Sequence, residues 1–257
     1  LRDVYKRQIY NGATFSLTAA GDIIATTGQS IGTDSTSSGN IILNSTTGGI
    51  NIYGGWFGGL NSSYYNGDSG IISLTAANDI NIHSAGISSS SNSGKGGDIT
   101  ITSTSGSVNI TDSQINSYAQ AGNAGNIIIK AAGDINIPFP TIISAYSVSG
   151  NGGDLDINST NGGINIGNIR SVSESQDAGS VKLEAAGDIN TLSMQASATG
   201  NGGNIDIISH SGNINTSNGQ LISFTAAAAA GTINLQAAGD ITTGLIDAYA
   251  QPAPTSN

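Results

Sequence analysis

Self-repetition constrains this chain's fold more than any other feature. Nine segments share one pattern: an apolar-x-apolar pair, a short turn ending in Gly plus one residue (Asn plus one in a single copy), then a second pair. The first pairs are Phe15/Leu17, Ile41/Leu43, Ile72/Leu74, Ile99/Ile101, Ile127/Ile129, Leu155/Ile157, Val181/Leu183, Ile205/Ile207 and Ile233/Leu235. The second pairs begin at Ile23, Ile50, Ile80, Val108, Ile135, Ile164, Ile189, Ile214 and Ile241. Successive copies lie about 24 to 31 residues apart. That length suits one coil of a solenoid, in which each repeat buries its apolar face against its neighbours.

Two kinds of segment alternate. In one the turn is Ala-Ala-(Gly/Asn)-Asp, as in Ala19-Ala20-Gly21-Asp22, and the flanking apolar positions are six apart, as from Leu17 to Ile23. In the other the turn is rich in Ser and Thr, as in Ser159-Thr160-Asn161-Gly162-Gly163, and the positions are seven apart, as from Ile157 to Ile164. A looser third strand follows each second pair, as in Ile115-Asn-Ser-Tyr118, Ile143-Ser-Ala-Tyr146, Ile169-Arg-Ser-Val172, Leu221-Ile-Ser-Phe224 and Ile246-Asp-Ala-Tyr249. Three short strands per coil with alternating β-branched residues predict an all-β parallel β-helix of about nine coils, stacked about 4.8 Å apart into a rod on the order of 45 Å tall. An antiparallel sandwich would also be all-β, but it gives no reason for turns to alternate in length.

Composition narrows the function classes. There is no Cys, which removes disulfide frameworks and thiolate metal sites. A formal charge of −10 speaks against nucleic acid as a partner. Three of the seven basic residues, Arg2, Lys6 and Arg7, crowd into the opening stretch LRDVYKRQ, which resembles nothing downstream. Residues 1–8 are therefore read as an assembly scar, 9–250 as one repeat domain and 251–257 as a tail. No apolar run approaches a membrane span. No signal peptide and no initiator Met are recognised, so the chain is expected to be an internal piece of something longer.

Stacking places each coil position above its counterpart. Asn51, Asn81, Asn109, Asn136, Asn165, Asn190 and Asn215 fall between the two inward residues of the second strand, so they form an outward ladder. A glycan-reading strip is the functional alternative, but stacking alone accounts for so uniform a column. Asp22, Asp79, Asp134, Asp188 and Asp240 occupy every second turn, with Gly49, Ser107, Gly163 and Asn213 between them. Alternation moves these carboxylates from about 5 Å to about 10 Å apart, which reads as charge spacing on a solvated edge. The stretch Gly152-Gly153-Asp154-Leu155-Asp156 has the flavour of a calcium-binding nonapeptide, but the tandem nine-residue period is missing. No metal or cofactor is expected.

Catalysis by a polysaccharide lyase or glycoside hydrolase would need carboxylates and a basic residue within reach of one another. Asp156 and Asp206 are the outward first-strand candidates, and the sequence reading joins no basic residue to them. His83 and His210 fall in unrelated positions without metal-ligand spacing. The expectation is a protein that is not an enzyme, with the polysaccharide-active enzyme as its alternative. One region breaks the repeat: the segment from Tyr53 to Tyr65 holds five of the chain's 13 aromatics, Tyr53, Trp56, Phe57, Tyr64 and Tyr65. These are the candidate contacts to glycans or a protein partner. The bland reading is that they cover the solenoid's flank. Pro138-Phe139-Pro140 is read as a kinked corner.

The recurring Leu-Thr-Ala-Ala-Gly-Asp-Ile and Ser-Thr-x-Gly-Gly-Ile-Asn-Ile phrases resemble the repeat region of filamentous-haemagglutinin-type exoproteins, passengers of two-partner secretion and related autotransporter systems. The resemblance runs from about Gly12 to Ala250 and belongs to the style of the repeat. It implies a right-handed β-helical shaft, exported unfolded through an outer-membrane secretion pore and displayed at, or released from, the bacterial surface. Adhesion to host or matrix glycans or proteins is the role it implies. That family's N-terminal secretion domain, with its Asn-Pro motifs, is not recognisable here. Open strand edges at cut ends would favour end-to-end self-association.

Overall fold

The computed structural model describes residues 7–9, 13–26, 30–33, 38–55 and 58–251. It is a parallel β-solenoid. The first strands of the nine coils, from Phe15–Ala19 to Ile233–Ala237, form one nine-stranded sheet in the order in which they occur along the chain. Their register is the one the repeat predicts: Phe15 lies beside Ile41, Ile99 beside Ile127, and Ile205 beside Ile233. The second and third strands build the remaining 14-stranded sheet. In coils one to four they are separate pieces, such as Ile80–His83 and Gly86–Ser88 in the third coil. From the fifth coil onward they run together into single bent strands such as Ile135–Ser147 and Ile164–Ser173, so three short strands per coil hold only for the first half. Arg7–Ile9 pairs with Ile31–Thr33, so backbone pairing begins inside the stretch read as a scar. Among the described residues no helix is long and apolar enough to cross a membrane.

The interior consists of three aliphatic columns. Ile72, Ile99, Ile127, Leu155 and Val181 come from the first strands, Ile80, Val108, Ile135, Ile164 and Ile189 from the second, and Ile87, Ile115, Ile143, Ile169 and Met194 from the third, and all are buried. Each buried Ile or Leu contributes about 1.5–3 kcal/mol relative to exposure. The third strand's next inward residue is small: Ser117, Ala145, Ser171 and Ala196 are all buried. The aromatics beside them therefore face outward. Tyr118 and Tyr146 stack there with ring centroids 5.7 Å apart and planes 8° from parallel.

The alternation of turns has a physical cause at the last residue of the first strand. That inward position reads Ala19, Ser45, Ala76, Ser103, Ala131, Ser159, Ala185, Ser209, Ala237. In each Ser coil the buried hydroxyl donates to a turn carbonyl of the preceding coil and accepts a backbone N–H three residues on. Ser159 Oγ donates to Gly133 O at 2.7 Å and accepts from Gly162 N at 3.1 Å. Ser45, Ser103 and Ser209 repeat the arrangement. The hydroxyl holds a turn one residue longer, whereas Ala coils make the shorter turn without it.

The turn aspartates do more than keep their charges apart. Asp22, Asp79, Asp134 and Asp188 each accept the backbone N–H of the matching residue one coil on: Gly49, Ser107, Gly163 and Asn213, at 2.7–2.8 Å. Two further columns do the same at the Gly-rich turns. Asn123, Asn151 and Asp177 accept from Asn151, Asp177 and Asn201. Asp98, Asn126 and Asp154 accept from Asn126, Asp154 and Ser180. Asp154, in the calcium-like stretch, is thus occupied by a backbone N–H. These side chains satisfy turn amides that lie beyond the reach of the strand ladders. The asparagine ladder is in register, with Nδ2 to Oδ1 bonds of 2.9 Å from Asn81 to Asn51 and from Asn109 to Asn81, and 2.8 Å from Asn165 to Asn136.

Candidate binding site

Among the described residues the ladder slips at one edge, the corner between second and third strands. In coils three and four this corner is tight. His83-Ser84-Ala85-Gly86 and Thr111-Asp112-Ser113-Gln114 each turn on a left-handed residue, Ser84 and Asp112, both at φ 51°. Backbone and hydroxyl bonds fix the two corners on each other. Ser84 N–H donates to Thr111 O at 3.0 Å, Ala85 N–H to Ser113 Oγ at 3.2 Å, and Ser113 N–H to Thr141 Oγ1 at 3.3 Å.

In the coils on either side the corner is longer. Coil two inserts the segment after Tyr53, and coil five, with Pro138-Phe139-Pro140 at its corner, is one residue longer than coil four; on its other side the ladder slips between Ile137 and Ile142 because the corner of coil six is shorter. Phe139 is 65% exposed, and the Phe139–Pro140 peptide is cis. Gly54 carries the coil-two segment close over the third coil's corner. A Cβ at Gly54 would lie 2.2 Å from Ser84 O, so only glycine fits. A recess of about 810 Å3 lies along these corners. Gly54, Gly55 and Gly58 line one side and Pro140 the other, with His83, Asp112 and Gln114 on the floor. His83 Nδ1 sits 2.8 Å from Thr111 Oγ1 and 3.7 Å from Asp112 Oδ2, and both His83 and Asp112 are about half exposed.

The aromatic candidates divide around this edge. Tyr53 ends the second strand of coil two, pairs in register with His83 and is exposed. Trp56 and Phe57 lie outside the described residues. Tyr64 and Tyr65 follow the third strand, Gly59–Asn61, and so sit at its far end from Tyr53. Tyr64 bridges to Ser91 and rests its ring over Gly67, whereas Tyr65 is 61% exposed. The described aromatics therefore do not form one patch. The sequence reading missed His83, Asp112 and Gln114. The available signal was that His83 and Thr111 hold the same repeat position immediately before the two short corners.

A second cluster corrects the reading of Asp156 and Asp206. Register places Lys182 directly between them on the outward face of the nine-stranded sheet. Lys130 Nζ lies 3.7 Å from Asp156 Oδ2, Lys182 Nζ 2.7 Å from Glu184 Oε2, and His210 Nε2 2.8 Å from Glu184 Oε1. Carboxylates and bases thus do converge, because side chains about 25 residues apart in sequence become neighbours about 4.8 Å apart when coils stack. Hydrogen bonds from Lys182 and His210 hold the Glu184 carboxyl below its ordinary range, and the bond to Glu184 raises Lys182. Glu184 and Lys182 are thereby held in their charged forms, which suits ion pairing better than proton transfer near neutrality. Among the described residues no three His, Cys, Asp or Glu side chains converge as metal ligands.

Comparison with family models, curated proteins and solved structures gives no match. Fold and site geometry therefore carry the functional argument.

Proposed function

We propose that this chain is a segment of the rigid shaft of a secreted or surface-displayed bacterial exoprotein of the filamentous-haemagglutinin type, mediating or supporting adhesion. The observation that carries the reading is how the polar side chains are used. Column after column of Asp, Asn and Ser is committed to the backbone of an adjacent coil, which suits a stiff spacer. Rigidity of that kind lets a shaft hold contacts at a distance from the cell. The absence of Cys agrees with export as an unfolded chain through an outer-membrane pore. Among the described residues no strand stacks on the last coil, and its Ile241 and Ile246 are exposed, which supports end-to-end association of the isolated segment. A sample that stays strictly monomeric at high concentration would count against that part.

The polysaccharide-active alternative gains one observation, the Asp156–Lys182–Asp206 row with Glu184 and His210 beside it. It is the weaker reading, because the row lies on a sheet face and its best-paired members are locked as ions. Incubation with a polysaccharide panel and with host-matrix proteins, scoring retention and new chain ends, separates the two. Retention without cleavage is expected. New chain ends that vanish in a Lys182→Gln variant would overturn the shaft reading.

A further inference from the structure

We propose that the corner recess of coils two to five binds a neutral saccharide unit, with Asp112, His83 and Gln114 taking its hydroxyl groups. The inference rests on the adhesive reading and gives it a location and a ligand class.

The first argument is that these polar groups are not used by the fold. Asp98, Asp134 and Asp154 each accept a backbone N–H from the following coil. Asp112 does not; among the described residues its carboxylate meets only His83, at 3.7 Å. The Gln114 side chain likewise makes no hydrogen bond among the described residues, although it lines the same recess. In a protein that spends nearly every turn carboxylate on stacking, an Asp left facing a cavity has another use.

The second argument is chemical. A sugar hydroxyl both donates and accepts, so its recognition needs both kinds of partner close together. The Asp112 carboxylate only accepts, the Gln114 amide does both, and the His83 Nε2 edge donates or accepts according to tautomer. The sides supply what sugar C–H faces need: the Pro140 ring and the Cα atoms of Gly55 and Gly58. A recess of about 810 Å3 falls within the usual range of small-ligand sites, about 300–1,000 Å3. Among the described residues no Lys or Arg lines it, and Asp112 would repel an acidic sugar, so the ligand class is neutral. The floor is also preformed, because Ser113 and Thr141 brace the two corners through their hydroxyls, and a braced site loses little entropy on binding.

The experiment is an immobilised array of neutral and acidic mono- to tetrasaccharides, with calorimetry on the best neutral hit. The panel is wild type, Asp112→Asn, Gln114→Trp and Lys182→Gln, all checked for unchanged thermal melting. Asn tolerates the left-handed corner, so Asp112→Asn removes the charge and keeps the backbone. Trp at exposed position 114 fills the recess from outside. Wild type is expected to retain neutral sugars only, with affinity about ten- to a hundredfold lower in Asp112→Asn, no binding in Gln114→Trp, and no change in Lys182→Gln. Failure to retain any neutral sugar overturns the proposal, as does retention of acidic sugars alone. Undiminished affinity in both recess variants also overturns it. Retention of matrix proteins under any of those outcomes would leave the adhesive reading standing.

Discussion

Replacing Ser159 by Ala deletes one buried oxygen and should destabilise the stack by about 2 to 4 kcal/mol. Ser159 is 1% exposed, donates to Gly133 O at 2.7 Å and accepts from Gly162 N at 3.1 Å. Neither backbone group has another partner of comparable geometry, so each loses a bond worth about 1 kcal/mol, or about 1–3 kcal/mol where water cannot replace it. Gly133 and Gly162 are half-buried, which favours the lower half of that range. Packing adds little, because the same column already carries Ala131 and Ala185 in the adjacent coils. For a chain of this size the loss corresponds to a fall in Tm of roughly 4 to 12 °C. The control is Thr160→Ala, whose hydroxyl is partly exposed and makes only a 3.4 Å contact to Ala131 O. Urea denaturation should be paired with hydrogen exchange at the Gly162 amide, since repeat arrays can open locally before they unfold. Indistinguishable midpoints for the two variants, with Gly162 equally protected, would refute the claim that the buried hydroxyl sustains the longer turn.

Asp134→Ala should cost about 1 to 2 kcal/mol by freeing the Gly163 N–H, whereas Asp134→Asn, which keeps an acceptor oxygen, should stay near wild type in urea midpoint. Gly97→Ala should abolish cooperative folding of the neighbouring coils, because its Cβ would lie 2.0 Å from Gly70 O and 2.4 Å from Ser89 Oγ; an unchanged circular-dichroism melt would contradict this. Burial, with a hydrogen bond to Glu174 and its charge, pushes Tyr146 up to about 12. The neutral phenol is thus favoured in the fold: its stabilisation is complete below the unfolded tyrosine range near 10 and is lost as pH rises through about 12. Tyrosinate absorbance should show Glu174→Gln lowering that titration. On the charged face, Lys182→Gln should raise the Glu184 titration seen by carboxyl NMR. The stabilisation from Glu184's depressed value is present above the ordinary glutamate range and lost as pH falls through the folded value.

Most of the fold was legible because a stacked repeat writes its contacts into its period. Phe15, Ile41, Ile72 and their six successors could be aligned by eye, and their alignment is the strand register. The same alignment held the Ser/Ala alternation after each first pair, but the reason for it became visible only when Ser159 met Gly133 across a coil boundary. The row of Asp156, Lys182 and Asp206 was also written there, as the middle residue of three successive first pairs. The sequence reading took the two carboxylates of that row and passed over Lys182 at the same position of the coil between them. The corner recess was a different matter. It lies beside the segment that coil two adds after Tyr53, and a period describes what recurs, not what a single coil adds. Likewise, the outward aim of Tyr118 goes with Ser117 in the inward place, where its hydroxyl donates to Gly97 O and accepts from Gly125 N.

The side-chain bonds of the turn columns and of the asparagine ladder all run one way. The acceptor sits on the earlier coil and the donor on the later one: Asn51 accepts from Asn81, Asp134 from Gly163, Gly133 from Ser159. In these columns a completed coil therefore offers its successor a row of oxygens, and the successor brings the hydrogens. The backbone ladder and the corner bonds of Ala85 and Ser113 also send donors the other way, so the grain belongs to these columns. Along them the two faces of every coil differ: one presents acceptors, the other donors.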